Sequence, residues 1–340
     1  MQYLDSFQSM LQYVANYWQQ LDSTKTLIIS LGFGAVMMSA LEGVVINRVG
    51  NSGKYDWAAW WTTLRISGLR VIAEAIPVGA VLGAAIPFAA WCYDNRLWTV
   101  PMDTWWGWVL MAVVTDFFFY LMHRATHRIR WFWASHQVHH SGNQFNLAAA
   151  FRVPIFAKIS GTFVFFAPQC LLGFSPEAVV LSYGINQVYQ FWIHTDLVPK
   201  LGFLEGIFNT PSAHRVHHAA NVEYLDANYG GVLMLFDRLF GTYIPEKDGV
   251  PIRYGLVKQV TTYSAVWICF HEWLAIFKDV WRDLTQGRVK DALGHAFMPP
   301  GWAPNGQGLT TEELRAKMKV LTGQPAGVPP DELLDGTLKV

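Results

Sequence analysis

Nine of the eleven histidines in this 340-residue chain fall between His123 and His218. His123 and His127 stand four apart in "HRATH". His136, His139 and His140 make "HQVHH", and His214, His217 and His218 repeat that pattern in "HRVHH". On a helix, positions i, i+3 and i+4 share a face. Each box therefore presents two or three imidazoles in one direction, the device by which a pair of histidines on one helix holds zinc. A single histidine on an apolar face is usually a satisfied core residue; eight in three helical patterns are not explained that way. His194, in "YQFWIHTD", is a ninth candidate. His271 and His295 are isolated and carry no pattern.

The chemistry those residues suit is metal binding. A single site uses three or four protein ligands, so nine imidazoles are too many for one ion and about right for two. Imidazole serves iron, zinc, copper and nickel alike, so ligand type leaves the metal open. The three cysteines, Cys92, Cys170 and Cys269, form no CxxC pair, which removes thiolate sites and a disulfide framework. Histidine ligands usually give their second N–H to a carboxylate or a carbonyl. Asp116 and Tyr120 precede His123 by seven and three positions, so they share its helical face and are the candidates to stand behind it.

The elements that position these residues read as membrane helices. Only 15% of the chain is charged and 52% is hydrophobic, against about 25% charged in soluble domains. Formal net charge is zero, which offers nothing to nucleic acid. Apolar runs at 27–46, 71–93 and 105–122 are long enough to cross about 30 Å of hydrocarbon. A weaker pair, 155–172 and 178–193, surrounds "GFSPE" and predicts a hairpin that crosses or penetrates in part.

Arg48, Lys54, Arg65 and Arg70 lie between the first two runs, and Arg124, Arg128, Arg130, Arg152 and Lys158 follow the third. The opposite connections carry only Arg96. By the positive-inside rule the N-terminus is outside, and every histidine box lies on the cytoplasmic side. Trp131, Phe132 and Trp133 suit an interfacial aromatic belt. The expected fold is all-α: a polytopic bundle of about four or five spans with a cytoplasmic helical cap carrying the histidines. The expected organisation is an amphipathic helix at 1–22 (Leu4, Phe7, Leu11 and Val14 at helical spacing), a membrane and metal domain at 23–298, and a tail at 299–340 in which "TTEELRAKMKVL" predicts a capped helix. A short polytopic chain in which no targeting segment is read is expected in a bacterial inner membrane, and an endoplasmic reticulum protein would read the same way.

"DFFFYLMHRATH", "HQVHHSGNQFNLAAAFR", "YQFWIHTD" and "NTPSAHRVHHAANVEYLDANYGGVLMLFDRLFGTY" resemble the fatty acid hydroxylase and sterol desaturase superfamily. The resemblance covers about residues 110–245 and is nearest in look to the alkylglycerol monooxygenases. It implies a non-haem di-iron membrane enzyme that uses O2 on lipid C–H bonds. It carries metal-ligand roles onto His123, His127, His136, His139, His140, His214, His217 and His218, with His194 added. Alkylglycerol monooxygenases are expected to carry a glutamate directly after the first box and to use a pterin reductant; here that position is Arg128. No dinucleotide fingerprint or haem-attachment motif is present, so electrons are expected from a separate reductase chain or a diffusible pterin.

Three other activities compete. A desaturase would use the same metals and differ only in outcome. A metal transporter would place ligands at mid-membrane in repeated halves, and neither feature is visible. A metal hydrolase would want a carboxylate base and few ligands, with Glu205 and Glu223 as the nearby acids.

Overall fold

The computed structural model describes residues 23–49, 54–75, 79–153, 155, 160–306 and 308–335. The amphipathic helix expected at 1–22 lies outside them. The chain divides into two units at residues 55 and 56. In the first, α1 (Ser23–Val49) is a single uninterrupted helix. Its segment Ile29–Arg48 is long and apolar enough to cross a membrane. The Tyr55 N–H donates to Asn47 Oδ1 at 2.9 Å.

The second unit begins with α2 (Trp57–Ala75) and α3 (Gly79–Asp94), followed by α4 (Trp105–Arg128) and α5 (Arg130–His140). Next come α6 (Ala167–Leu171), α7 (Pro176–Trp192) and α8 (Pro211–His217). The last five are α9 (Leu235–Leu239), α10 (Ala265–Thr285), α11 (Val289–Phe297), α12 (Thr311–Thr322) and α13 (Asp331–Leu334). Among the described residues there is no strand, only three isolated bridges, so the all-α expectation is met.

α4 is the second helix able to cross a membrane by length and composition. Thr104 caps it by accepting the Gly107 N–H. A side chain at Gly107 would strike the Pro101 carbonyl at 2.2 Å, so the entry turn fits tightly. The helix runs to Arg128, and a single extended residue, Ile129, separates it from α5.

Two of the expected runs each fall on more than one described element. The run 71–93 falls on the end of α2, on residues 76–78, which lie outside the described ones, and on α3. The run 155–172 gives, where it is described, a 3₁₀ turn at Thr162–Phe165 and the short α6. Gly161 is left-handed and Pro168 starts a new helix, so the backbone is bent where hydropathy alone reads straight. Composition also hid α2, whose Arg65 and Arg70 interrupt its apolar character.

Apolar contacts then fix the frame. Cys92, Met111, Cys170 and Phe174 tie α3, α4, α6 and the entry to α7. Ile66, Val138 and Ile268 bring together α2, α5 and α10. The capped helix expected over "TTEELRAKMKVL" is present as α12, with a capping box between Thr310 and Glu313. Its Leu314 and Met318 pack on Val222, so this C-terminal helix lies against the segment that follows the third box.

Candidate metal centre

All nine candidate histidines come together. α4 contributes His123 and His127, and α5 contributes His136, His139 and His140. α8 carries His214 and His217 and is capped by His218, while His194 follows the end of α7. They form two groups: His123, His127, His136, His140 and His217, and then His139, His194, His214 and His218. Within each group the ligand atoms lie within 4.8 Å of one another. The groups are adjacent, with His140 stacked on His218 at 4.3 Å between ring centroids. His271 and His295 belong to neither group.

Local sequence explains each placement. The one-residue break at Ile129 turns α5 back on α4 and sets His123 against His136, their Nε2 atoms 3.0 Å apart. α8 starts sharply because Thr210 accepts the Ala213 N–H and Pro211 occupies the first turn, where its missing donor costs nothing. Arg152 is buried beneath α5; its Nε donates to the Val138 carbonyl at 3.1 Å and to Ser141 Oγ at 2.8 Å. Arg215, inside the third box, donates to the Val198 carbonyl at 2.7 Å and pairs with Glu246 at 2.8 Å. It thereby fixes the turn that follows His194.

The imidazole edges have a defined polarity. His123 Nδ1 lies 2.9 Å from the Tyr229 carbonyl, His217 Nδ1 2.9 Å from that of Ala227, and His194 Nδ1 2.6 Å from that of Gln190. A carbonyl only accepts, so these Nδ1 atoms carry the proton and Nε2 keeps its lone pair. The Nε2 atoms converge: His194 meets His214 at 2.9 Å and His139 at 3.3 Å, and His136 meets His140 at 3.1 Å. Nε2 of His127, His217 and His218 is buried without a hydrogen-bond partner. Clustered lone pairs with orphaned nitrogens among them are a poor hydrogen-bond network and a good donor set for cations. Burial, reinforced by neighbouring imidazoles, holds His136, His139, His140, His214, His217 and His218 well below the ordinary histidine range. Burial also brings His194 down to about 4. Neutral rings are the metal-binding form.

Asp116 and Tyr120 stand behind this set, though neither contacts a histidine through its polar atoms in the way expected of a direct carboxylate partner. Asp116 accepts the Val232 and Leu233 N–H groups at 2.8 and 3.0 Å. Tyr120 Oη lies 3.2 Å from Thr242 Oγ1. Asp116 by these bonds, and Tyr120 by packing its ring edge-on to Tyr229 at 6.0 Å, support the loop 227–233, whose carbonyls receive the protons of His123 and His217.

The residue that sequence patterns missed is Asp237. It is fully buried and accepts the Tyr229 N–H at 2.8 Å, the Gly230 N–H at 2.7 Å and the Thr242 hydroxyl at 2.7 Å. Asn228 adds a third clamp. It sits in the left-handed region at φ 58, bonding Ala213 and Ile244. Asn and Asp tolerate that conformation better than other side chains with a Cβ, which is the local signal "LDANYGG" offers.

Arg128 is explained by its partners. It bonds Asp226 at 2.7 Å and Glu312 on α12 at 2.7 Å. Asp226 also lies 3.8 Å from His127 Nδ1, so an acid does stand beside the first box, supplied from a distant segment. The aromatic residues expected at an interface also make contacts within the protein. Trp131 packs edge-on against Trp273, and Trp133 lies 5.3 Å from His127 and 5.7 Å from His140. Glu205 accepts from Thr210 and the Leu201 N–H, and Glu223 from the Gly327 N–H. Both acids named for a hydrolase are thus committed to loop contacts. A cavity of about 660 Å³ opens onto His127, His140 and His217, with Trp133, Leu256 and Trp267 on its walls.

The segment that carries these residues is similar to known proteins. Residues 108–242 match the family model described as fatty acid hydroxylase. An alkylglycerol monooxygenase from Xenopus tropicalis is 36% identical over 255 residues, 73% of this chain and 56% of its own length. The alkylglycerol monooxygenase of Homo sapiens is 37% identical over 211 residues, 62% of this chain and 46% of its own. An ornithine lipid hydroxylase from Rhizobium tropici is 27% identical over 176 residues, covering 49% of this chain and 53% of its own. The chain spans about half the length of these curated relatives. No solved structure matches it.

Proposed function

We propose, from the membership of residues 108–242 in the fatty acid hydroxylase family, that this chain is an O2-dependent monooxygenase hydroxylating a C–H bond of a membrane lipid. The observation that carries the proposal is the pair of buried histidine groups with converging Nε2 atoms. His123, His127, His136, His140 and His217 would hold one iron, and His139, His194, His214 and His218 a second. Iron bound there supplies the redox chemistry with O2 that acid–base side chains lack. The lipid is of fatty acyl, sterol or ether type. Oxygen insertion is preferred to desaturation because the relatives are named monooxygenases and hydroxylases.

The chain's own residues do the rest. The Nδ1–H groups of His123, His194 and His217 donate to backbone carbonyls, which fixes each ring's tautomer and aim. Asp116 and Asp237 hold the loop that presents two of those carbonyls. Phe145, 5.0 Å from the His218 ring, and Trp133 cover the donor edges and keep water away. The cavity beside His127, His140 and His217 receives the substrate's reacting carbon. Two electrons and two protons per turnover come from outside the chain, through a reductase partner or a diffusible pterin.

The same proposal includes a multi-pass chain with about four or five spans and the histidine face towards the cytoplasm, in a bacterial inner membrane. The asymmetry of arginine and lysine between the connections supports that sidedness. The organisation follows as a membrane and metal domain at 23–298 flanked by an N-terminal helix at 1–22 and a tail at 299–340.

The test is turnover of the iron-loaded chain in lipid discs under ¹⁸O2, with reductant and ether-lipid, fatty acyl and sterol substrates in turn. The expected product carries one ¹⁸O from the gas. Product labelled only from water, or a new double bond without oxygen, would overturn the monooxygenase assignment.

A further inference from the structure

α10 and α11 are apolar on faces that stay exposed among the described residues. On α10, Ile268, Trp273 and Ile276 are buried against the rest of the chain. An adjoining stripe, Trp267, Leu274, Phe277 and Trp281, recurs at intervals of seven, three and four and is exposed, with Trp281 at 70% and Leu274 at 64%. On α11, Leu293 and Phe297 are more than half exposed one turn apart, while Ala292 and Ala296 are buried. Exposed aromatic and aliphatic side chains in such number do not belong on a surface facing water.

Cations border this surface. Lys278 and Lys290 are exposed, and Arg282 and Arg288, each nearly half exposed, pair with the buried Asp283 between the two helices. On α10, Lys278 and Arg282 lie on the flank of the exposed stripe opposite to the buried face. One helix thus shows three sides in turn: one packed on protein, one apolar and bare, one polar and cationic.

The position of the pair identifies what covers it. The Arg130 N–H donates to the Met298 carbonyl at 3.1 Å, at the end of α11. The Arg130 guanidinium bonds Glu272 at 2.7 Å and Asp279 at 2.8 Å on α10. Arg130 is two residues past the end of α4, the helix able to cross a membrane. The pair is therefore fastened at the level where that helix would leave the bilayer, on the side that carries the histidines.

We propose that α10 and α11 form an in-plane membrane-docking surface, with the Trp267–Trp281 stripe and the Leu293–Phe297 face inserted among lipid chains at the boundary and Lys278 and Lys290 meeting anionic headgroups. A helix lying in the interface has this composition: aromatic and leucine residues on one face and lysine or arginine beside it. Trp267 belongs both to the stripe and to the wall of the 660 Å³ cavity, so docking places one wall of that cavity at the lipid surface. The proposal goes beyond the catalytic assignment and does not depend on it.

The test uses the full chain in discs of phosphatidylcholine and phosphatidylglycerol, one chain per disc. Single spin labels are placed through Leu274→Cys, Phe277→Cys, Trp281→Cys and Leu293→Cys, with Lys278→Cys and Lys290→Cys as flanking positions; the three native cysteines are buried. Collision rates with oxygen, which concentrates in lipid, and with a water-soluble nickel chelate report depth. The expected oxygen-to-nickel ratio at 274, 277, 281 and 293 is several-fold above that at 278 and 290. Equal ratios at all six positions would overturn the proposal, because the surface would then face water. Protection from both reagents that appears only when discs hold two chains would also overturn it, in favour of a second copy as the occupant. A label at exposed Val109 on α4 reports separately whether that helix crosses, so failure of the span and failure of the docking surface are distinguishable.

Discussion

The Nδ1 atom of His123 donates to the carbonyl of Tyr229 at 2.9 Å, although the two residues are 106 positions apart in the chain. That contact joins the first histidine box to the loop after the third. The loop is in turn pinned by Asp237, which accepts the N–H of Tyr229 itself. The aim of the His123 ring therefore depends on a buried carboxylate that touches no histidine with its oxygens.

Asp237→Ala would strand the Tyr229 and Gly230 N–H groups in the interior, at about 1–3 kcal/mol each. It should also loosen the aim of His123. The expected result is a lower thermal midpoint together with roughly 10–100-fold weaker metal retention, measured by chelator titration of the detergent-purified protein. Asp237→Asn retains one acceptor oxygen and should fall between the two. Wild-type metal retention in Asp237→Ala would show that the loop does not orient the ligands.

The two groups should lose metal separately. His136→Ala removes a nitrogen from the first group, and His214→Ala one from the second. Each variant is expected to keep close to one metal per chain, by elemental analysis, and to lose at least about 100-fold in turnover, since ligand loss should exceed the loss from an outer partner. Retention of the full metal complement in either variant would remove that histidine from the ligand set.

Arg128 offers a contrast between a half-buried ion pair and an exposed one. Its partner Asp226 is 15% exposed and its partner Glu312 is 59% exposed. An exposed pair contributes about 0–1 kcal/mol, so Glu312→Ala should leave the melting midpoint almost unchanged. Arg128→Glu faces both acids and should destabilise clearly, and adding Glu312→Arg should recover part of the loss. An unchanged midpoint in Arg128→Glu would mean that the tie between the first box and α12 contributes nothing.

Metal-free protein should be acid-labile in a defined window. The folded imidazoles outside the membrane helices are held below their ordinary value, His194 at about 4. The unfolded chain, with histidines near 6.5, binds more protons as pH falls, so stability rises with pH through this range. The stability that these neutral rings contribute is present above about pH 6.5 and is lost as pH falls towards about 4. Melting midpoints of the metal-free chain across that interval check the sign. A midpoint rising on acidification would contradict burial of neutral rings.

The histidine boxes were legible in sequence because helical spacing alone places His136 beside His140 and His214 beside His218. Their polar supports were not. The acceptors of the Nδ1 protons are carbonyls, which leave no residue signature, and Asp237 sits in "LFDRLFGTY" where an isolated acid reads as surface. Asp116 was visible as an acid in an apolar helix, yet its target, the Val232 and Leu233 amides, lies beyond any local pattern. The helical class was legible from hydropathy. The break at Gly161 was hidden because a left-handed glycine inside an apolar run does not change its composition, and α2 was hidden because Arg65 and Arg70 dilute its hydropathy.

The most direct measurement is the metal content of the detergent-purified chain grown with iron-57, together with its Mössbauer spectrum. Two irons per chain with a coupled high-spin signature are expected from two adjacent histidine groups. One zinc per chain, or no stoichiometric metal after growth in ample iron, would contradict the di-iron assignment and with it the oxidative chemistry proposed for this site.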